Sequence, residues 1–142
     1  IVGSADLNLG EGVKPVLEAL RKASPNRFRG IRHRLTWDPH PELASASSAG
    51  IRGQMQDEQF RIGAQTLADM GMTLEGWMYH HQLTELADLA TAVPSLTIIL
   101  NHIGGLLRIG PYSENDKDTV SAWKEGIAAE SECPNVENKP QT

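Results

Sequence analysis

The sequence predicts an α/β fold built around a parallel β-sheet. Segments typical of strands alternate with segments typical of amphipathic helices along the chain, in the order βαβαβαβαβ. The segment at 96–102 is apolar on both faces, as expected of a parallel strand that is covered on both sides. The loops that follow the predicted strands are longer than those that precede them, as in barrel enzymes. Two architectures have this alternation: a doubly wound open sheet and a piece of a (β/α)₈ barrel.

The first half of the chain contains two predicted strands and two predicted helices. Residues 1–9 begin with apolar residues and then alternate, which predicts a strand. Residues 13–23 have apolar side chains at helical spacing, and a short alternating strand follows at 28–33. The stretch 34–53, rich in Pro, Ser and Gly, predicts a long irregular loop, which in a compact domain is usually functional or mobile. A second helix is predicted over 56–70.

The second half repeats the same alternation. A strand is predicted at 73–79 and a helix at 82–93, which Pro94 ends. The apolar strand at 96–102 follows. A last helix is predicted over about 118–130, and a fifth strand near 135–137. No glycine-rich phosphate fingerprint follows any of these strands, which argues against a nucleotide-binding open sheet.

Composition restricts the classes of function. The chain has 142 residues, 39% of them hydrophobic and 22% charged, so we expect one domain over residues 1–142. Its net charge of −5 argues against nucleic-acid binding, and no apolar run is long enough for a membrane span. The single cysteine, Cys133, favours a cytoplasmic setting. The chain begins on a strand-like IVGSADL without Met, which predicts a fragment or a processed chain.

Polar side chains at the ends of predicted strands are the candidate site residues, because ligands bind at the carboxyl ends of parallel strands. Asn101 and His102 end the most apolar strand, and a neutral imidazole there can bind a metal or polarise a carbonyl. Arg32 and His33 lie on opposite faces of their strand, so one of them faces the pocket. The alternative for each is a structural hydrogen bond or a surface salt bridge.

Two further groups are ambiguous. Tyr79 and His80 lie near the end of the third predicted strand, where they can contact a ligand or pack in the core. For His81, a place just before the next helix is the favoured interpretation. The segment WDPHP contains Asp38 and His40, which can pair across a loop, although most such residues form turns.

Four segments of the chain resemble the amidohydrolase-related family of metal-dependent hydrolases. They are RFRGIRHRLTWDPHPEL, WMYHHQLTELADLA, PSLTIILNHIGG and CPNVENK, which occur in the order that the family has them. The resemblance implies an incomplete TIM barrel that corresponds to about strands three to seven of eight. It also implies that His102 binds substrate or metal, that Arg32 or its neighbourhood holds a substrate carboxylate, and that a metal-binding histidine lies near His80.

The resemblance implies an activity, but the chain lacks part of the family's pattern. The first-strand His-x-His and the last-strand Asp of the family are absent, and the end of the chain, NVENKPQT, departs from the usual strand pattern. We therefore expect a truncated hydrolase for a small lactone, amide or carboxylated compound, catalytically incomplete alone. Zinc or manganese is the expected metal if one is bound. Open sheet edges predict a homodimer, and the alternative is a self-associating half-barrel without catalysis.

Overall fold

The computed structural model describes residues 1–43, 50–113 and 116–139, and within them the chain forms one five-stranded parallel sheet. The strands lie side by side in the order in which they occur along the chain. They are β1 (Val2–Gly3), β2 (Gly30–Arg34), β3 (Thr73–Trp77), β4 (Ile98–Asn101) and β5 (Val136–Lys139).

Four α-helices connect these strands, with short 3₁₀ helices in the loops. The α-helices are α1 (Lys14–Ala23), α2 (Glu58–Asp69), α3 (Leu83–Ala92) and α4 (Asp116–Ser131). The 3₁₀ helices are Leu7–Val13, Pro41–Leu43, Gln54–Gln56, His80–Gln82 and Gly110–Tyr112. None of the helices in the described ranges has the length and apolar character needed to cross a membrane.

The strand order decides between the two predicted architectures. A doubly wound sheet reverses its strand order at a switch point, whereas the strands of a barrel follow one another. The sequential order found here identifies an incomplete (β/α) barrel, and the doubly wound alternative is wrong.

The hydrophobic core lies between the helices and one face of the sheet. Side chains alternate along each strand, so Ile31, Leu74 and Ile98 share the face that packs against the helices. On the helices, Leu17 and Phe60 are fully buried against this face. The opposite face, which we call the inner face, lines the axis in a closed barrel.

Three predicted elements differ from those observed. The strand predicted at 1–9 is only two residues long, because the Asp6 carboxylate accepts a hydrogen bond from the Asn8 amide and starts a 3₁₀ helix. The strand near 135–137 is longer than predicted, and all four residues of β5 pair with β4. The long loop predicted at 34–53 contains two 3₁₀ helices at its described ends, while 44–49 lie outside the described residues.

Candidate functional site

An arginine–glutamate pair occupies the middle of the inner face. Arg32 on β2 lies opposite Glu75 on β3, and its Nε and Nη2 atoms both donate to Glu75 Oε2, at 3.0 Å for Nε. Lys139 Nζ on β5 lies 3.6 Å from Glu75 Oε1. Burial raises the pKa of the Glu75 carboxyl, but the hydrogen bonds and charge of Arg32, with the charge of Lys139, outweigh it and hold the pKa below its ordinary value.

A cleft lies beside this pair. It has a volume of about 770 Å³ and is lined by Val2, Gly3, Ser4, Arg32 and Arg34. The Arg34 guanidinium lies 5.8 Å from the centre of the Trp77 ring, in cation–π geometry. The cleft is therefore lined by two cationic side chains, one of which also lies over the Trp77 ring.

The histidine at the end of β4 is held in an unusual backbone conformation. His102 and Ile103 have φ angles of 58° and 54°, in the left-handed region that residues other than glycine rarely adopt. The His102 amide donates to Lys139 O at 2.9 Å, and the imidazole ring lies 5.9 Å from the Trp77 ring. Such strain persists where the surrounding structure imposes it, and it is common at functional sites.

The remaining residues predicted on the inner side lie close to these groups. Asn101 is buried, with an exposed fraction of 2%, and pairs in register with Lys139. Tyr79 forms a β-bridge with Gly105, and its ring centre lies 6.5 Å from that of Trp77. The structure thus brings Asn101, Tyr79 and His102 to the carboxyl end of the sheet near Trp77, while Arg32 lies two residues further back on the inner face, paired with Glu75.

His33 points away from this group. Because it follows Arg32, it faces the helices, where its ring lies edge-on to Phe60 at 5.2 Å and its Nε2 lies 3.3 Å from Gln54 Nε2. Burial lowers the pKa of His33, and the Asp6 carboxylate only partly offsets this effect. Of the two neighbours, Arg32 therefore faces the cleft, while the substrate-binding role of His33 stays a prediction.

A second polar cluster lies in the loops at the carboxyl edge, centred on the buried carboxylate of Asp38. Its Oδ1 accepts from the His40 backbone N–H at 2.8 Å and lies 2.9 Å from His40 Nδ1. Its Oδ2 accepts from the Tyr112 hydroxyl at 2.8 Å and lies 3.0 Å from His81 Nε2. These four residues, Asp38, His40, His81 and Tyr112, are called the Asp38 cluster below.

Hydrogen bonding sets the charge state of the cluster. Burial raises the pKa of Asp38, yet its four hydrogen bonds outweigh this effect and keep the pKa below its ordinary value. Burial, together with the hydrogen bond to Asp38, raises the pKa of Tyr112 to about 12. At neutral pH the cluster therefore contains a carboxylate and a protonated phenol.

His80 lies beneath the cluster. Its side chain is buried, its backbone N–H donates to Gly105 O at 3.1 Å, and its ring centre lies 5.1 Å from those of His81 and Tyr112. Burial lowers the pKa of His80, the charge of His81 lowers it further, and Asp38 opposes both. Its imidazole is therefore held in the neutral form.

Sequence reasoning found only part of the Asp38 cluster. The WDPHP segment allows Asp38 to pair with His40, although turn formation is the favoured interpretation, and the structure contains this pair. His81 was expected only to precede a helix, and Tyr112 was not considered. Both come from loops that are distant in sequence from Asp38, so their spacing along the chain carries no signal for this contact.

The metal-ligand prediction does not lead to a complete metal centre. A protein-bound metal generally has at least three protein ligands. Within 1–43, 50–113 and 116–139, no three His, Cys, Asp or Glu side chains are placed to hold a metal ion. His102 is exposed and lies beside Trp77, whereas His80 is buried beside Tyr112. The two histidines therefore do not form a metal site with each other.

Comparison with known proteins gives consistent matches. The family model described as Amidohydro_2, amidohydrolase, matches residues 1–139. An amidohydrolase from Burkholderia multivorans with bound HEPES superposes with a TM-score of 0.68 at 19% identity over 96% of this chain. A structure of the same kind from that organism with bound zinc gives 0.69 at 18% identity, again over 96% of this chain.

Two other relatives are similar. Amidohydrolase 2 from Bifidobacterium longum subsp. infantis gives a TM-score of 0.54 at 24% identity, over 80% of this chain and 36% of that one. Protein y4mH of Sinorhizobium fredii, itself described as uncharacterized, is 24% identical over 136 residues, or 96% of this chain. The chain spans 41% of the length of y4mH and 42% of each Burkholderia chain.

Proposed function

This chain belongs to the Amidohydro_2 family of amidohydrolases, and from that membership we propose that it takes part in the hydrolysis of a small lactone, amide or carboxylated compound. The observation that carries the proposal is the Arg32–Glu75 pair beside the open cleft on the inner face. Two hydrogen bonds to Glu75 fix the guanidinium, and the side chain is still 53% exposed. Its remaining N–H groups are available to a carboxylate or a carbonyl oxygen.

His102 is the proposed acid, base or ligand in this reaction. It lies at the carboxyl end of β4 with its ring beside Trp77, which also contacts the cationic Arg34. An imidazole at this position can exchange a proton with a substrate that Arg32 orients. Tyr79 and Asn101, at the same end of the sheet, are proposed to line the bound substrate.

We propose that a divalent metal, zinc or manganese, can bind here only if ligands beyond the described residues of this chain complete its coordination. Zinc is bound in one of the Burkholderia structures. The described residues of this chain offer single donors such as His102 rather than a group of three, so no step is derived through a metal. Elemental analysis of the purified chain tests this part directly.

Self-association is proposed for the same chain. Among the described residues, the helices form the hydrophobic core with the other face of the sheet, and β1 and β5 form its two edges. This feature also favours the second candidate function, a self-associating half-barrel without catalysis. The two functions differ in one measurable property, which is turnover.

The test is a hydrolysis screen with the purified chain. We expect release of acid from at least one lactone or amide, followed by a pH indicator, and we expect Arg32→Met to lower kcat/KM by about tenfold or more. Arg29→Met is the matched control, because Arg29 hydrogen-bonds to Phe28 O and Asn26 O just before β2 and not to Glu75. No turnover of any substrate, or equal loss in both variants, would contradict the proposal.

A further inference from the structure

The Asp38 cluster lines a cavity at the carboxyl edge of the sheet, the same edge at which Tyr79 and His102 are proposed to contact the substrate. The cavity has a volume of about 440 Å³, and the lining side chains that matter here are those of His40, His80, His81 and Tyr112. It lies among the loops that follow β2, β3 and β4. Ring contacts from Trp77 to Tyr79 and from Tyr79 to His81 connect it to the inner face.

The carboxylate fixes which nitrogen of each neighbouring imidazole carries a proton. An ionised carboxylate only accepts hydrogen bonds, so His40 donates from Nδ1 and His81 donates from Nε2. In the neutral state the second nitrogen of each ring is therefore unprotonated. For His40 this nitrogen is Nε2, on the side of the ring opposite Asp38.

His40 is the better placed of the two imidazoles. It is bound to Asp38 twice, through its backbone N–H and its Nδ1, and its side chain is still 41% exposed. His81 is only 24% exposed, and its ring packs against four aromatic or imidazole rings. His40 thus combines a fixed orientation with access to the cavity.

We propose that His40 is a general base for the hydrolysis proposed above, with Asp38 as the residue that positions it. The inference rests on that proposed function, since it assigns a proton acceptor to the same reaction. The arrangement satisfies the geometric requirement for a base that is oriented by a third group. Asp38 contacts the imidazole and not the substrate.

The proposed step is the attack of a water molecule on an ester or lactone carbonyl. His40 Nε2 takes a proton from a water molecule while the water oxygen forms a bond to the carbonyl carbon of an ester or lactone. The tetrahedral intermediate then collapses, the bond from carbon to the leaving oxygen breaks, and the imidazolium returns its proton to that oxygen. The products are a carboxylic acid and a hydroxyl group, and Asp38 stays ionised throughout.

The first experiment measures turnover with the full chain and two probes, p-nitrophenyl acetate and dihydrocoumarin. We expect His40→Ala to lower kcat by about 100-fold with little change in KM. Free imidazole should restore part of this loss after the enzyme-free rate with imidazole is subtracted, which a purely structural role for His40 would not allow. Asp38→Asn should lower kcat by about tenfold or more, again with little change in KM.

The control variant is Glu42→Ala. Glu42 lies in the same loop, two residues after His40, and its side chain is exposed. This variant should retain the wild-type kcat. Retention of wild-type kcat in His40→Ala, or a loss that imidazole does not restore, would overturn the inference.

A second readout separates this inference from the proposed function. Diethyl pyrocarbonate acylates unprotonated imidazole nitrogens, and mass spectrometry locates the product. We expect rapid modification of His40 that slows in Asp38→Asn, while modification of the exposed His102 is unchanged. If no probe is hydrolysed but His40 reacts in this way, the proposed function fails and the oriented base stands. If hydrolysis depends on Arg32 and not on His40, the base assignment alone fails.

Discussion

At the scale of single residues, the buried His80 and the partly buried His33 make the stability of the fold depend on pH. His33 and His80 each have an Nδ1 atom without a hydrogen-bond partner among the described residues, and burial lowers the pKa of both. A histidine with a lowered pKa binds fewer protons in the folded state than in the unfolded state. Folding stability therefore falls as the pH drops below the ordinary pKa of 6.5.

This effect is tested with the double variant His33→Gln/His80→Gln. Glutamine stays neutral, so the wild type should lose more stability than the variant between pH 8 and pH 5, which is the interval around about 6.5 in which histidine titrates. Urea unfolding at several pH values gives the free energy of unfolding for both proteins. If the free energy of unfolding of the two proteins changes by the same amount with pH, these histidines do not cause the pH dependence.

Glu75 adds a linkage of the same sign at lower pH. Its folded-state pKa is held below the ordinary value of 4.5, so its ion pairs stabilise the fold above that pH and are lost as the pH falls through the folded-state pKa. We expect Glu75→Gln to reduce the free energy of unfolding at pH 7 by about 1 kcal/mol, a figure kept low because Arg32 is half exposed.

The difference between Glu75→Gln and the wild type should shrink below pH 4.5, the ordinary pKa of the group. Glu137→Gln is the matched control, because Glu137 lies on the exposed strand β5. Chemical denaturation at pH 7 and at acidic pH measures the effect. A difference that is independent of pH would attribute the loss to packing rather than to charge.

At the scale of elements, α2 and the first 3₁₀ helix pack with their backbones in close contact. A Cβ atom added at Gly63 would lie 2.2 Å from Leu7 O and 3.0 Å from Leu7 Cα, both backbone atoms that cannot move independently. Alanine usually stabilises a helix relative to glycine. Here we expect Gly63→Ala to destabilise the fold by about 2 kcal/mol, since overpacking forces the two elements apart.

Thermal unfolding measures this prediction. Gly12→Ala is the control, because a Cβ there meets only Leu9 Cβ at 3.7 Å, an ordinary contact. Its effect should stay within about 0.5 kcal/mol. Equal stability of the two alanine variants would mean that α2 and the 3₁₀ helix can separate without cost.

The elements themselves were largely predictable, and the differences have local causes. The alternation of strand-like and helix-like segments located the four α-helices and five strands that the described residues form, and for the helices the signal was apolar periodicity, which reflects burial of one face. It misplaced the end of the first strand, since a single side chain, Asp6, starts a 3₁₀ helix that has no periodic signature. The helical turn at His80–Gln82 was missed for a similar reason: its capping interactions depend on Tyr79 and Gln82 and not on apolar spacing.

The site was less predictable than the fold. Residues at strand ends, such as Asn101 and His102, follow from topology, because parallel strands align their carboxyl ends at one edge. The partners of Arg32 and Asp38 depend on register and on loop conformation. Glu75 lies 43 residues from Arg32 and Tyr112 lies 74 residues from Asp38, so a single sequence carries no direct signal for either contact.

At the scale of the whole molecule, the inner face is the surface that we propose for self-association. Its side chains include Ile99 and Trp77, which are partly exposed, together with charged groups of both signs. Two copies related by a two-fold axis along the barrel axis can place β5 of one copy beside β1 of the other, with all strands parallel. This arrangement pairs both edges and covers both inner faces, so the chain is expected to form a dimer.

Light scattering during size exclusion tests this expectation. Ile99→Lys places a charge at the middle of the inner face and should shift the protein towards the monomer, because a buried unpaired charge disfavours the interface. Val16→Lys is the control, since Val16 on α1 is an exposed apolar residue on the helical side of the sheet. If the wild type remains monomeric at all concentrations, the inner face is stable in water without a second copy. If it is a dimer that Ile99→Lys leaves intact, the interface lies elsewhere on the molecule.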